Sequence, residues 1–150
     1  MKRKLEKVVE YYDNGQKKVE GNYKKGKLYG LWITWYENGK KKEEGTYKNG
    51  KPDGLHTIFY ENGQKDLEVY FKNGKEKGIM TQWYENGKKF LEGNWKNGKP
   101  DGLGTVWYEN GQKMYEEHFK NGEREGLVTQ WDEEGNITKS ETLNHPKMMR

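Results

Sequence analysis

Glutamate recurs at positions 20, 44, 68, 92 and 116, one every 24 residues, and a column of carboxylates is raw material for a general acid and base pair. The spacing argues against that chemistry. Repeat-related glutamates fall on alternate strands, roughly 9 to 10 Å apart, and no pair has a neighbour that would raise one pKa above the other. His56, His118 and His145 occupy different positions in the repeat and lack the spacing that gathers ligands around a metal ion. The Gly-rich turns lack the GxxxxGK[ST] order of a phosphate loop. With no cysteine there is no thiolate nucleophile, disulfide or cysteine metal site. The expectation is a chain without catalytic residues, metal or cofactor.

The elements that carry these residues are set by the same period. Tyr12, Tyr36, Tyr60, Tyr84 and Tyr108 each precede Asp/Glu-Asn-Gly, and a second turn recurs as KKGK from Lys24, KNGK from Lys48, Lys72 and Lys96, and KNGE from Lys120. Asn-Gly is the strongest short hairpin signal, because both residues tolerate positive φ. The turns alternate at gaps of 11 and 13 residues, so each repeat holds two strands and two tight turns. Nothing between them has helical periodicity. The expected fold is all-β: an elongated, single-layered, twisted antiparallel meander of 24-residue hairpin repeats, stabilised neighbour by neighbour. The expected organisation is a capping strand over residues 1–11, five repeats over 12–131, a partial sixth repeat over 132–143 and a tail over 144–150.

Parity assigns side chains to faces. A three-residue loop at the Asn-Gly turns, with glycine in the left-handed region, places Val19, Gly21 and Tyr23 on one face with Leu31, Ile33 and Trp35, and sets Leu31 opposite Gly45 and Leu103 opposite Glu117. That face then carries two aromatic rows, Trp35, Phe59, Trp83, Trp107, Trp131 and Tyr23, Tyr47, Phe71, Trp95, Phe119, with Lys17, Lys41, Lys65, Lys89 and Lys113 beside the tryptophans. The other face carries the glutamate ladder and two columns that change from copy to copy: Trp32, His56, Met80, Gly104, Val128, and Thr34, Ile58, Gln82, Val106, Gln130. A fixed scaffold bearing variable side chains suits a specific partner. The candidate partner-binding residues are therefore Trp32, Thr34, His56, Ile58, Met80, Gln82, Val106, Val128 and Gln130. The row Trp35, Phe59, Trp83, Trp107 and Trp131 is the alternative surface, because a single layer leaves an aromatic stripe larger than monomers usually expose.

A second rhythm runs at 48 residues, with KPDG in copies two and four and KEKG or EREG in copies three and five, as duplication of a double repeat would leave. The net charge of +4 comes from interspersed Lys, Arg, Asp and Glu, without the clustered basic footprint of a nucleic-acid binder. MKRKLEKVVEYY lacks the unbroken apolar segment of a secretory signal, and no stretch approaches a membrane span, so the expected location is the cytoplasm.

The unit YENGKKKEEGTYKNGKPDGLHTIF at residues 36–59 and its counterpart YENGKKFLEGNWKNGKPDGLGTVW at 84–107 resemble the bacterial variant of the MORN repeat. The resemblance covers about residues 11–143 and implies a twisted antiparallel sheet with a role in protein association. Proteins built mostly of this variant resemble antitoxins or immunity proteins of toxin modules, so the resemblance implies a protein partner, such as a toxin effector; self-association is expected separately, from a second copy covering the aromatic stripe. The alternative expectation is a surface or scaffold protein that binds membrane headgroups or cell-wall saccharides.

Overall fold

The computed structural model describes residues 4–143, so the expected tail at 144–150, with His145, lies outside the described residues. Within that range are fourteen strands and no helix. They are β1 (Glu6–Tyr11), β2 (Lys17–Lys24), β3 (Lys27–Leu28), β4 (Gly30–Trp35), β5 (Lys41–Lys48), β6 (Lys51–Phe59), β7 (Lys65–Lys72), β8 (Lys75–Glu76), β9 (Gly78–Trp83), β10 (Lys89–Lys96), β11 (Lys99–Trp107), β12 (Lys113–Lys120), β13 (Glu123–Trp131) and β14 (Ile137–Leu143). The chain divides into two compact units, one ending at Lys75 and one beginning at Glu76. In the first, β1, β2, β4, β5, β6 and β7 lie side by side in chain order, and β3 extends the pairing of β2. In the second the order is β9 to β14. Every pairing is antiparallel, which makes each unit the expected meander.

The two turns of a repeat are built differently. At the first, Gly15 N donates to Tyr12 O at 3.0 Å and Tyr12 N to Gln16 O at 2.8 Å, closing a three-residue loop with Gly15 at φ 87°. This is the expected loop. The second turn has only two residues: Lys24 pairs with Lys27, and Lys25 and Gly26 both take positive φ, at 54° and 74°. Asn49, Asn73, Asn97 and Asn121 repeat that geometry, and it is the type I′ turn whose twist suits a hairpin.

The shorter loop overturns the expected division of faces. Opposed residues in an antiparallel pair share a face, and Val19 opposes Thr34 while Glu20 opposes Ile33. A bulge around the positive-φ glycine, Gly30 or Gly54, adds two residues to the outgoing strand and so leaves parity unchanged. Trp32, rather than Leu31, faces Gly45, and Gly104, rather than Leu103, faces Glu117. The two aromatic rows accordingly lie on opposite faces. What we call the glycine face holds Gly21, Trp32, Gly45, His56 and Val69 across its middle in the first unit, and Met80, Gly93, Gly104, Glu117 and Val128 in the second, with Tyr23, Tyr47, Phe71, Trp95 and Phe119 along one side. What we call the ladder face holds the glutamates together with the tryptophan row.

Burial is thin, as one layer of sheet requires. Among the described residues the buried apolar side chains are Val69 and Val128, both on the glycine face. The buried polar ones are Thr57, Thr81, Thr105 and Thr129, on the ladder face. Thr57 lies between Glu44 and Glu68, and Thr105 between Glu92 and Glu116. The carboxylates of successive repeats are thereby kept a strand apart.

Candidate functional site

Main-chain ties hold the repeats in step. Tyr36 Oη donates to Phe59 O at 2.6 Å, and Tyr12, Tyr84 and Tyr108 donate likewise to the carbonyls of Trp35, Trp107 and Trp131. Burial raises the Tyr36 and Tyr84 hydroxyls above the usual phenol range, with Glu61 and Glu109 adding to it respectively. The turn asparagines add a second tie: Asn38 Oδ1 accepts from Lys40 N at 2.9 Å while its Nδ2 donates to Glu61 O at 3.0 Å. At the opposite turns Gly50 N donates to Leu28 O and Gly74 N to Pro52 O, each reaching back one repeat. KPDG adds to this, since Asp53 Oδ1 accepts from Asn73 N at 3.0 Å and Asp101 Oδ1 from Asn121 N at 3.2 Å. These roles for Tyr12, Asn38 and Asp53 are not legible from residue type alone; the signal was their recurrence beside a turn.

On the ladder face each lysine meets the glutamate three residues on. Lys17–Glu20, Lys65–Glu68 and Lys89–Glu92 pair at 2.6 Å, Lys113–Glu116 at 2.7 Å, and Lys41 pairs with Glu44. A bulge at Lys18 turns Lys17 onto the face of Glu20, and the same lysine nitrogens lie 5.7 to 5.8 Å from the ring centres of Trp35, Trp107 and Trp131. The expected lysine cover of the tryptophans is present, but the glutamates share it. The bond to Lys17 holds Glu20 below the usual carboxylate range, which suits a structural ion and not a general acid. Beyond this ladder, on the same face as the tryptophans, runs an apolar row: Leu31 and Leu55 are 50% exposed in the first unit, and Ile79, Leu103 and Leu127 are 57%, 45% and 49% exposed in the second.

The glycine face gathers the variable residues. In the first unit Trp32, Thr34, His56 and Ile58 lie together on it, and in the second Met80, Gln82, Val106, Val128 and Gln130. Val128, only 5% exposed, is part of the packing. The larger members of the column lie on glycine: a Cβ on Gly21 would sit 2.0 Å from Trp32 Cε3, and one on Gly45 2.2 Å from His56 Nδ1. Tyr23 meets Trp32 edge-on at 5.8 Å, and His56 meets both Tyr47 and Phe71 edge-on at 5.0 Å. A hollow of about 260 Å³ opens beside His56, with Trp32, Gly45 and Phe71 in its walls. A second, of about 180 Å³, opens over Gly93 and Gly104 in the other unit. The aromatic alternatives stay apart from these hollows, Trp35 and Phe59 in one unit and Trp83, Trp107 and Trp131 in the other, all on the ladder face. Among the described residues no group of three His, Asp or Glu could hold a metal ion.

The model of the MORN repeat variant matches residues 7–25, 28–49, 52–73 and 76–97, more than half of the chain, and that of the MORN repeat matches residues 92–113. The chain belongs to this family. MORN repeats are in general binding modules, and here each matched stretch contains one of the two-residue turns or its flanks, together with strands that present both faces. No curated protein matches the chain. No helix among the described residues is long and apolar enough to cross a membrane.

Proposed function

We propose that this MORN repeat chain is a protein-binding module without catalytic activity, and that its partner is an effector it occludes, in the manner of an antitoxin or immunity protein. The observation that carries the binding reading is the contrast within the glycine face. Turns, ties and ladders repeat in every copy, while the residues bordering the hollows change from Trp32 to His56 and from Met80 to Gly104. A scaffold held constant by its main-chain ties can vary those side chains wherever the facing strand leaves them room, which is what selectivity for one protein asks. The antitoxin role is supported by the resemblance of the repeat, and a cytoplasmic location goes with it.

A second surface is favoured by a specific observation, the half-exposed row of Leu31 and Leu55 in one unit and Ile79, Leu103 and Leu127 in the other. Affinity capture from host lysate separates the two. One variant carries Ile58→Glu, Gln82→Glu and Val106→Glu on the glycine face, the other Leu31→Glu, Leu55→Glu and Leu127→Glu on the ladder face. Recovery of one effector by the parent and the leucine variant, and its loss from the first variant, is the expected result. The reverse pattern moves the site to the ladder face. Capture of anionic vesicles or cell-wall saccharide, with no protein recovered, would replace the reading with headgroup or glycan binding.

A further inference from the structure

The two hollows are built by the same stretch of repeat, 48 residues apart, and differ in what fills them. In the first unit His56 stands over Gly45, between the edges of Tyr47 and Phe71, with Nε2 2.8 Å from Thr46 O. In the second, Gly93 takes the place of Gly45, Trp95 of Tyr47, Phe119 of Phe71, and Gly104 of His56. The imidazole is gone. The nearest atom to a Cβ on Gly93 is Trp95 Nε1 at 3.8 Å, against 2.2 Å for His56 over Gly45, and the nearest to one on Gly104 is Phe119 Cε2 at 3.6 Å. The aromatic walls remain around the space of a missing ring.

A second exchange gives that space a polarity. Val69, which opposes His56, is replaced by Glu117, which opposes Gly104 and lines the cavity. The Glu117 side chain is only 14% exposed, and its two partners, Tyr115 Oη at 2.8 Å and Arg124 Nε at 2.9 Å, both engage Oε2. Oε1 remains to accept a bond from an occupant. Asn94, whose carbonyl corresponds to that of Thr46, also lines the cavity. An occupant therefore meets the Trp95 and Phe119 rings and a carboxylate oxygen, which suits a flat group that carries an N–H donor.

We propose that the hollow over Gly93 and Gly104 is a binding site for an imidazole ring, the side chain of a histidine presented by a protein partner. It accepts in trans the group that His56 supplies in cis one double repeat earlier. Phenylalanine has the shape but would leave Glu117 Oε1 without a donor, and an aliphatic side chain would lack the ring contacts as well. Imidazolium is favoured over the neutral ring, since it brings a positive charge to a carboxylate. Arg124 pairs with Glu117 through Oε2 from outside the hollow, which its side chain, 57% exposed, does not line.

The protein-binding reading supplies only the source of the ring, so the site is tested with free compounds. N-acetylhistidinamide is titrated into the full chain while the indole N–H resonance of Trp95, assigned with Trp95→Phe, is followed by NMR. A saturable shift is expected, stronger at pH 6 than at pH 8 since a free histidine titrates near about 6.5. It should be weakened about tenfold in Glu117→Gln, the loss of one charge-assisted bond. Gly104→His should abolish it by restoring the ring that Gly45 already receives in the first unit; should that variant fail to fold, Gly104→Met fills the same space. Absence of a shift, an equal shift with N-acetylphenylalaninamide, or a shift retained in the filled variant would overturn the proposal. Such a result leaves lysate capture by the glycine face standing, and failure of that capture leaves the titration readable.

Discussion

At the scale of single residues, glycine in the middle of a strand is ordinarily a weakness, and here its worth depends on what lies across from it. Gly21 and Gly45 receive Trp32 and His56 so closely that a methyl group has no room. Gly21→Ala and Gly45→Ala should each cost about 1 to 3 kcal/mol, the range for overpacking, read as a fall in the denaturant midpoint with unchanged slope. Gly93 has no such neighbour, and its φ lies outside the left-handed region. Gly93→Ala should therefore be neutral or stabilising by up to about 1 kcal/mol, because alanine narrows the unfolded ensemble. Equal losses at all three positions would show that glycine serves the strand rather than the ring above it.

At the scale of the element, the turns carry both the clearest success of sequence reasoning and its main error. Asn-Gly marked every hairpin except those at Lys25-Gly26 and Glu134-Gly135, but Asn14 and Asn38 lie outside positive φ while Asn49 stands at 53°, and the dipeptide alone does not tell a three-residue loop from a two-residue one. What decided the faces was the length of the second loop, two residues and not three, since the bulge at Gly30 or Gly54 adds two residues and preserves parity. Without it the glutamates, the tryptophans and the variable columns could be grouped but not sided. The two classes separate under one substitution: Asn38→Gly loses both side-chain bonds and should cost about 1 kcal/mol, whereas Asn49→Gly relieves a left-handed asparagine and should be neutral within a few tenths. The tyrosine ties belong to the same elements. Tyr36→Phe leaves Phe59 O without its donor, an expected loss of about 0.5 to 1.5 kcal/mol. The raised pKa of Tyr36 and Tyr84 means that the neutral phenol is preferred in the folded chain. Their contribution is thus complete below the unfolded value of 10.0 and lost as pH rises through the folded one. Thermal stability measured across alkaline pH should fall in that window, and the fall should shrink in a Tyr36→Phe, Tyr84→Phe double variant.

At the scale of the whole molecule, a repeat array is stabilised by neighbouring copies, so removing one copy should shorten a unit without unfolding it. Which copy can go is set by the glycine face. Deleting residues 84–107 brings β9 beside β12 and sets Met80 against Glu117 where Gly93 stood, a contact that a flexible thioether can accommodate. Deleting residues 36–59 brings β4 beside β7 and sets Trp32 against Val69 where Gly45 stood, with a branched side chain in the space the indole needs. Both deletions remove 24 residues and restore the same turns, so propensity and hydrogen bonding do not distinguish them. The first should keep a cooperative thermal transition at a lower midpoint; the second should lose more, and Val69→Gly in the shortened chain should recover part of the difference. Equal midpoints for the two deletions would mean that the copies are interchangeable and that the changing column lies free of the packing. A larger loss at the tryptophan copy, recovered by glycine, would make that column part of the register, with each large side chain requiring its own glycine in the neighbouring strand.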